Sequence, residues 1–107
     1  MSAHREWLLA EYGPICAYCG DEIAVTAVTL DHVRPRKGKT AYDRPDNLVV
    51  ACRTCNAAKA DTPLLAFLLG KRSRAVFLLE YGHHLSEPLQ ELARQIAERP
   101  ILPREPA

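Results

Sequence analysis

Cys16-Ala17-Tyr18-Cys19 and Cys52-Arg53-Thr54-Cys55-Asn56 bracket the tripeptide Asp31-His32-Val33, and the reading of this stretch decides the fold. Two residues between the cysteines of each pair let two thiolates share one tight turn, and two such turns brought together close a tetrahedral Zn²⁺ site. The pairs stand 32 residues apart, so the ion joins segments that are distant along the chain. A redox Cys-x-x-Cys usually occurs once, at the start of a helix, whereas here the pair is repeated. Met1–Glu6 lacks the charged and apolar blocks of a signal peptide, which makes the cytoplasm the expected compartment. Structural disulfides are disfavoured there. Cys16, Cys19, Cys52 and Cys55 are therefore expected to hold a structural zinc.

With 107 residues, 48% of them hydrophobic and 25% charged, the chain has ordinary globular composition and enough length for one core. One domain is expected, divided into an N-terminal helix (1–15), a zinc-stapled core (16–61) and a C-terminal helical extension (62–107). No run is long and apolar enough to cross a bilayer as a helix. The net charge of +1 does not announce a nucleic-acid partner, but charge is uneven. From Asp31 to Lys59 seven basic residues (Arg34, Arg36, Lys37, Lys39, Arg44, Arg53, Lys59) face three acidic ones, a local balance of +4. Such a segment suits phosphate contact, and it is equally the composition of a solvated loop.

Local signals give the order of elements. His4–Tyr12 reads as an amphipathic helix ended by Gly13-Pro14 and placed to lid the zinc knuckle. Ile23–Leu30 is rich in β-branched residues and predicts a strand running into Asp31-His32. Pro35–Asp46 has no apolar period and predicts an exposed loop, and Leu48–Ala51 a second strand. Cys55–Ala60 predicts a short helix opening at the second cysteine pair. Thr62-Pro63 looks like a cap, with helices over Leu64–Leu69 and Arg74–Tyr81, the latter capped by Ser73. A last amphipathic helix over Ser86–Arg99 aligns Leu85, Leu89, Leu92 and Ile96 and stops at Pro100.

Between the cysteine pairs lie the parts of a hydrolytic site. Cleaving a phosphodiester takes a base to activate water and a cation to stabilise the leaving oxygen. His32 suits the base. The carboxylate of Asp31 and the amide oxygen of Asn56 suit a hard cation such as Mg²⁺, which prefers oxygen ligands. Neighbouring strand residues point to opposite faces, so Asp31 and His32 reach one substrate only if the backbone bends between them. A bend is expected there. Asn47, at the loop exit, has an amide suited to bonding backbone across the loop.

Cys-x-x-Cys, Leu30-Asp31-His32-Val33-x-Pro35, Asp46-Asn47-Leu48-Val49 and Cys52-x-x-Cys55-Asn56-x-x-Lys59 together resemble the HNH endonuclease family over residues 16 to 59. The resemblance implies an α+β fold, a ββα-metal finger with a structural zinc behind the catalytic face, and hydrolysis of DNA to 5′-phosphate and 3′-hydroxyl ends. It implies His32 as general base, Asp31 and Asn56 as ligands of a catalytic divalent ion, and Asn47 as the residue that holds the loop. Asn56 stands where many relatives have His, and Lys37-Gly38-Lys39-Thr40 replaces their paired glycines.

Other residues keep two readings. Lys59, three positions after Asn56, projects from the same side of its helix, either to hold a phosphate or as a solvated lysine. With Arg34, Arg36, Lys37 and Lys39 it makes up the candidate nucleic-acid contacts. Lys71-Arg72-Ser73-Arg74 is either a backbone grip or a solvated turn. His83-His84 reads as a loop feature, since no further cysteine or carboxylate cluster accompanies it. The leucine-rich helices from Leu64 onward bury a face against the zinc module or against a second subunit. The rival to a nuclease is a zinc-ribbon-like module that binds nucleic acid or protein without chemistry.

Overall fold

Leu48-Val49-Val50-Ala51 is apolar at every position, a pattern that demands cover on both faces, and all four residues are buried. In the computed structural model, which describes residues 2–35 and 43–99, this run is strand β2. It pairs antiparallel with β1, Thr29–His32, in the register Thr29↔Ala51, Leu30↔Val50, Asp31↔Val49 and His32↔Leu48. Helix α1 (Ser2–Tyr12) packs on β2, and α2 (Arg53–Lys59) packs on β1. Three further helices, α3 (Leu64–Gly70), α4 (Ser73–Glu80) and α5 (Glu87–Ala97), pack on one another. The α+β expectation holds, with a ββα unit at the centre and helices before and after it.

Several boundaries differ from the sequence reading. The strand expected over Ile23–Leu30 is shorter and later: Val25–Ala27 forms a 3₁₀ turn, and only from Thr29 does the chain have a β2 residue to pair with. β-branched composition without a partner strand makes no sheet. The expected bend at Asp31-His32 is absent too, because β1 stays in register through His32 and the chain turns only at Val33-Arg34. α2 opens two residues early because the Cys52 sulfur accepts a hydrogen bond from the Cys55 N–H at 3.3 Å, acting as the cap. Neither Thr62 nor Ser73 caps a helix; Pro63 and Arg72 occupy the cap positions, without side-chain cap bonds. The last helix ends at Ala97, with Glu98 at its cap position, short of the expected Arg99, while Pro100 and the loop residues 36–42 lie outside the described residues.

The helical extension is joined to the core through aromatic contacts. Phe67 of α3 meets the edge of Tyr18, ring centroids 5.1 Å apart. Phe77 of α4 lies so close over Gly20 that a Cβ there would sit 2.6 Å from its ring, and Gly20 has φ +76. Only glycine meets both demands. Arg74 stacks over the Phe67 ring at 3.9 Å and donates to the Phe67 carbonyl, while Arg72 donates to the Ala97 carbonyl. Two residues of the basic run Lys71-Arg72-Ser73-Arg74 thus tie helices together. Leu64, Leu68, Leu78, Leu85, Leu89 and Ile96 fill the core, leaving Leu65, Leu69 and Val76 exposed.

Candidate active site

The first cysteine pair lies on a tight turn closed by Gly20 N–H donating to the Cys16 carbonyl at 2.9 Å and hooked to β2 by Ala17 N–H on the Val50 carbonyl at 2.8 Å. The second pair opens α2. The four sulfurs lie within 4.8 Å of one another, with Cys19 and Cys52 at 4.0 Å. A tetrahedral ion with Zn–S bonds of about 2.3 Å sets its sulfurs about 3.8 Å apart, so the cluster fits zinc. Burial, reinforced by the neighbouring sulfurs Cys16 and Cys52, pushes the Cys19 thiol up to about 11, and burial raises Cys55 as well. Thiolates so crowded are tolerable beside a cation.

Asp31 is turned inward, its side chain 6% exposed, and its Oδ2 accepts from the Tyr18 hydroxyl at 2.6 Å and the Lys59 ammonium at 3.1 Å. Lys59 is wholly buried, and the same ammonium donates to the His32 carbonyl at 2.8 Å. Burial raises the Asp31 carboxyl above its ordinary range, against the opposing pull of Lys59 and the Tyr18 bond. One turn before Lys59, the Asn56 amide nitrogen donates to Thr29 Oγ1 at 3.0 Å. Thr29 and Asp31 share a face of β1, so Asp31 and Asn56 stand on the two sides of the gap between β1 and α2.

His32 leaves the opposite face, half-buried, with Nε2 2.7 Å from Asp43 Oδ1. A carboxylate partner accepts a hydrogen bond from Nε2–H and leaves Nδ1 as the basic nitrogen. Asn47 clasps the far side of the loop: its Oδ1 accepts from the Arg34 N–H at 2.8 Å and its Nδ2 donates to the Arg34 carbonyl at 3.1 Å. His84 braces the start of β2. Its Nε2 donates to the Leu48 carbonyl at 2.8 Å, so its Nδ1 accepts from the Tyr12 hydroxyl at 2.6 Å. Leu48 is the residue opposite His32 in the sheet.

From Cys16 through β1, the loop, β2 and α2, residues 16–62 match the family described as HNH endonuclease. Residues 16–62 are an HNH endonuclease module. Two proteins called CRISPR-associated endonuclease Cas9 are similar to it. The one from Corynebacterium diphtheriae is 42% identical over 48 residues, 45% of this chain and 4% of that protein. The one from Actinomyces naeslundii is 41% identical over 51 residues, 48% of this chain and 5% of that protein. The chain therefore spans about a twentieth of the length of these relatives. The crystal structure of the Type II-C Cas9 enzyme from Actinomyces naeslundii superposes with a TM-score of 0.63 and 27% identity, covering 90% of this chain and 11% of that one. The likeness in fold thus reaches beyond the HNH module into the flanking helices.

Within the HNH module, the four cysteines converge, and Asp31, His32 and Asn56 are held by three different sets of partners. Among the described residues no hydrogen bond joins these three directly. Lys59 is corrected on both readings: its ammonium is neither solvated nor turned to a phosphate but enclosed against Asp31 and His32. Arg34 is exposed two residues past His32. Arg36, Lys37 and Lys39 lie outside the described residues. Sequence reasoning missed Tyr18, Thr29, Asp43 and His84. Tyr18 looked like a spacer inside a metal motif, and Asp43 entered only as a charge in the loop.

Proposed function

We propose that this chain hydrolyses DNA phosphodiester bonds as an HNH nuclease unit, with zinc in the cysteine cluster as a purely structural ion and one divalent ion, Mg²⁺ or a similar hard cation, at the catalytic site. The reading rests on one observation above the rest: β1 and α2 face each other with Asp31 and Asn56 on either side of the gap and His32 at the strand's end. Asp31 and Asn56 are the oxygen donors for the catalytic ion. An ion held there supplies positive charge to the leaving oxygen. His32 is the last residue of β1 before the chain bends at Val33-Arg34, so in this reading its imidazole reaches the phosphate around the end of the strand; with its Nε2–H bonded to Asp43, it accepts the proton of the attacking water at Nδ1. The new P–O bond forms to that water as the bond to the 3′ oxygen breaks, leaving 5′-phosphate and 3′-hydroxyl ends. Arg34 lies near enough along the chain to engage the DNA backbone. Four reduced thiols suit a cytoplasmic setting.

A plasmid-nicking assay with Mg²⁺, and with chelator added to zinc-loaded protein, tests the reading. His32→Ala is expected to lower the cleavage rate by about 10²–10⁴-fold, the usual contribution of a general base, while zinc content and circular dichroism stay at wild-type values. Cleavage retained by His32→Ala would remove His32 as base. DNA binding with no Mg²⁺-dependent nicking by the wild type would leave a non-catalytic zinc module instead.

A further inference from the structure

Tyr18 occupies the third position of the first Cys-x-x-Cys, between two sulfurs that share one turn, and is 1% exposed. Its hydroxyl does not serve that turn. It crosses to β1 and donates to Asp31 Oδ2 at 2.6 Å, thirteen residues further along the chain. Lys59 adds a second bond to the same oxygen at 3.1 Å. Among the described residues Asp31 Oδ1 takes no hydrogen bond, so the carboxylate is held by one oxygen and presents the other. The second donor is fixed by the same device. Thr29 Oγ1 donates its proton to the Ala51 carbonyl at 2.6 Å and so can only accept from Asn56, which must turn its Nδ2 to Thr29 and its Oδ1 away.

We propose that Tyr18 is a positioning residue that couples the cysteine knuckle to the catalytic ion: the zinc-bound turn sets the place of the phenol, and the phenol sets which oxygen of Asp31 is offered for ligation. The inference rests on the reading of Asp31 as a ligand given above. Outer partners of metal ligands matter in this way because a carboxylate free to rotate must be ordered when the ion arrives, which weakens binding. Among the described residues, loss of the hydroxyl leaves Lys59 as the sole hydrogen-bond partner at Oδ2 and frees the carboxylate to swing about it. The Tyr18 ring, edge-on to Phe67 at 5.1 Å, keeps its packing in a phenylalanine variant.

The test uses the full chain with zinc bound and Mn²⁺ as the probe ion, its affinity read by electron paramagnetic resonance. Asp31→Ala serves as the reference for a lost ligand. Tyr18→Phe is expected to keep one zinc per chain, to bind Mn²⁺ about tenfold more weakly, and to recover the wild-type nicking rate once divalent ion is saturating. A residue that merely packs would not move Mn²⁺ affinity. Unchanged affinity in Tyr18→Phe, with Asp31→Ala impaired, overturns the coupling and leaves the ligand assignment standing. Unchanged affinity in Asp31→Ala removes the ligand assignment and the coupling with it. Should Tyr18→Phe fail to fold, 3-fluorotyrosine placed at position 18 keeps the ring and hydroxyl. Its ¹⁹F resonance is then expected to shift on Mg²⁺ addition in the wild-type background and to stay fixed with Asp31→Ala. A resonance that ignores Mg²⁺ in the wild-type background counts against the coupling.

Discussion

Lys59 holds its ammonium where no water reaches it, between the carboxylate of Asp31 and the carbonyl of His32. A buried charge is tolerated only with such partners, and removing one member of a buried pair strands the other. Lys59→Met is therefore expected to destabilise the zinc-loaded protein by about 3–5 kcal/mol, read as a fall in the urea midpoint. Asp31→Asn in the same chain is expected to recover most of that loss. A fall of less than about 1 kcal/mol, the worth of an exposed pair, would show that the pair is hydrated in solution. The i, i+3 spacing of Asn56 and Lys59 told which side of α2 they share. It could not tell what lies opposite, because that depends on β1 and the knuckle arriving from elsewhere in the chain.

At the scale of elements, pairing and capping decided what propensity left undetermined. The apolar run of β2 was legible because it is buried throughout. β1 was legible only in part, since its length is set by the four residues that find partners in β2 and not by the β-branched stretch before them. The His84 strap was not legible at all: it reaches Tyr12 of α1 across 72 residues and Leu48 of β2 across 36. Burial lowers the pKa of His84 below 6.5, against the bond to the Leu48 carbonyl that raises it. The folded protein then favours the neutral ring, while the unfolded chain takes up a proton first as the pH drops. The contribution of His84 to stability is accordingly full above about pH 6.5 and declines as pH falls from there toward the folded pKa. Melting temperatures from pH 7.5 to 5.0 should fall more steeply for wild type than for His84→Gln. Parallel slopes in the two proteins would contradict the role of the ring.

Across the whole molecule, the cysteine cluster is the point where the parts meet. The first pair is tied to β2 through Ala17, the second opens α2, and α3 and α4 rest on the first turn through Phe67 against Tyr18 and Phe77 against Gly20. Structural zinc contributes folding free energy directly, since the site does not exist in the unfolded chain. Stripping zinc with a strong chelator at neutral pH is expected to abolish the cooperative thermal transition and most of the helical circular dichroism, and added zinc to restore both. A metal-free protein that melts at the wild-type temperature would show that the apolar core suffices alone.

Metal spacing, the order of strands and helices, and the residue types able to hold a hard cation or carry a proton were all determined by the sequence, because each is a matter of local spacing or side-chain chemistry. Which oxygen of Asp31 is held, which way Asn56 faces, that His32 leans on Asp43 and that Lys59 is enclosed were decided by tertiary structure alone. Those contacts join segments 11 to 28 residues apart, and no periodicity within a helix or strand encodes what another segment will bring to meet it.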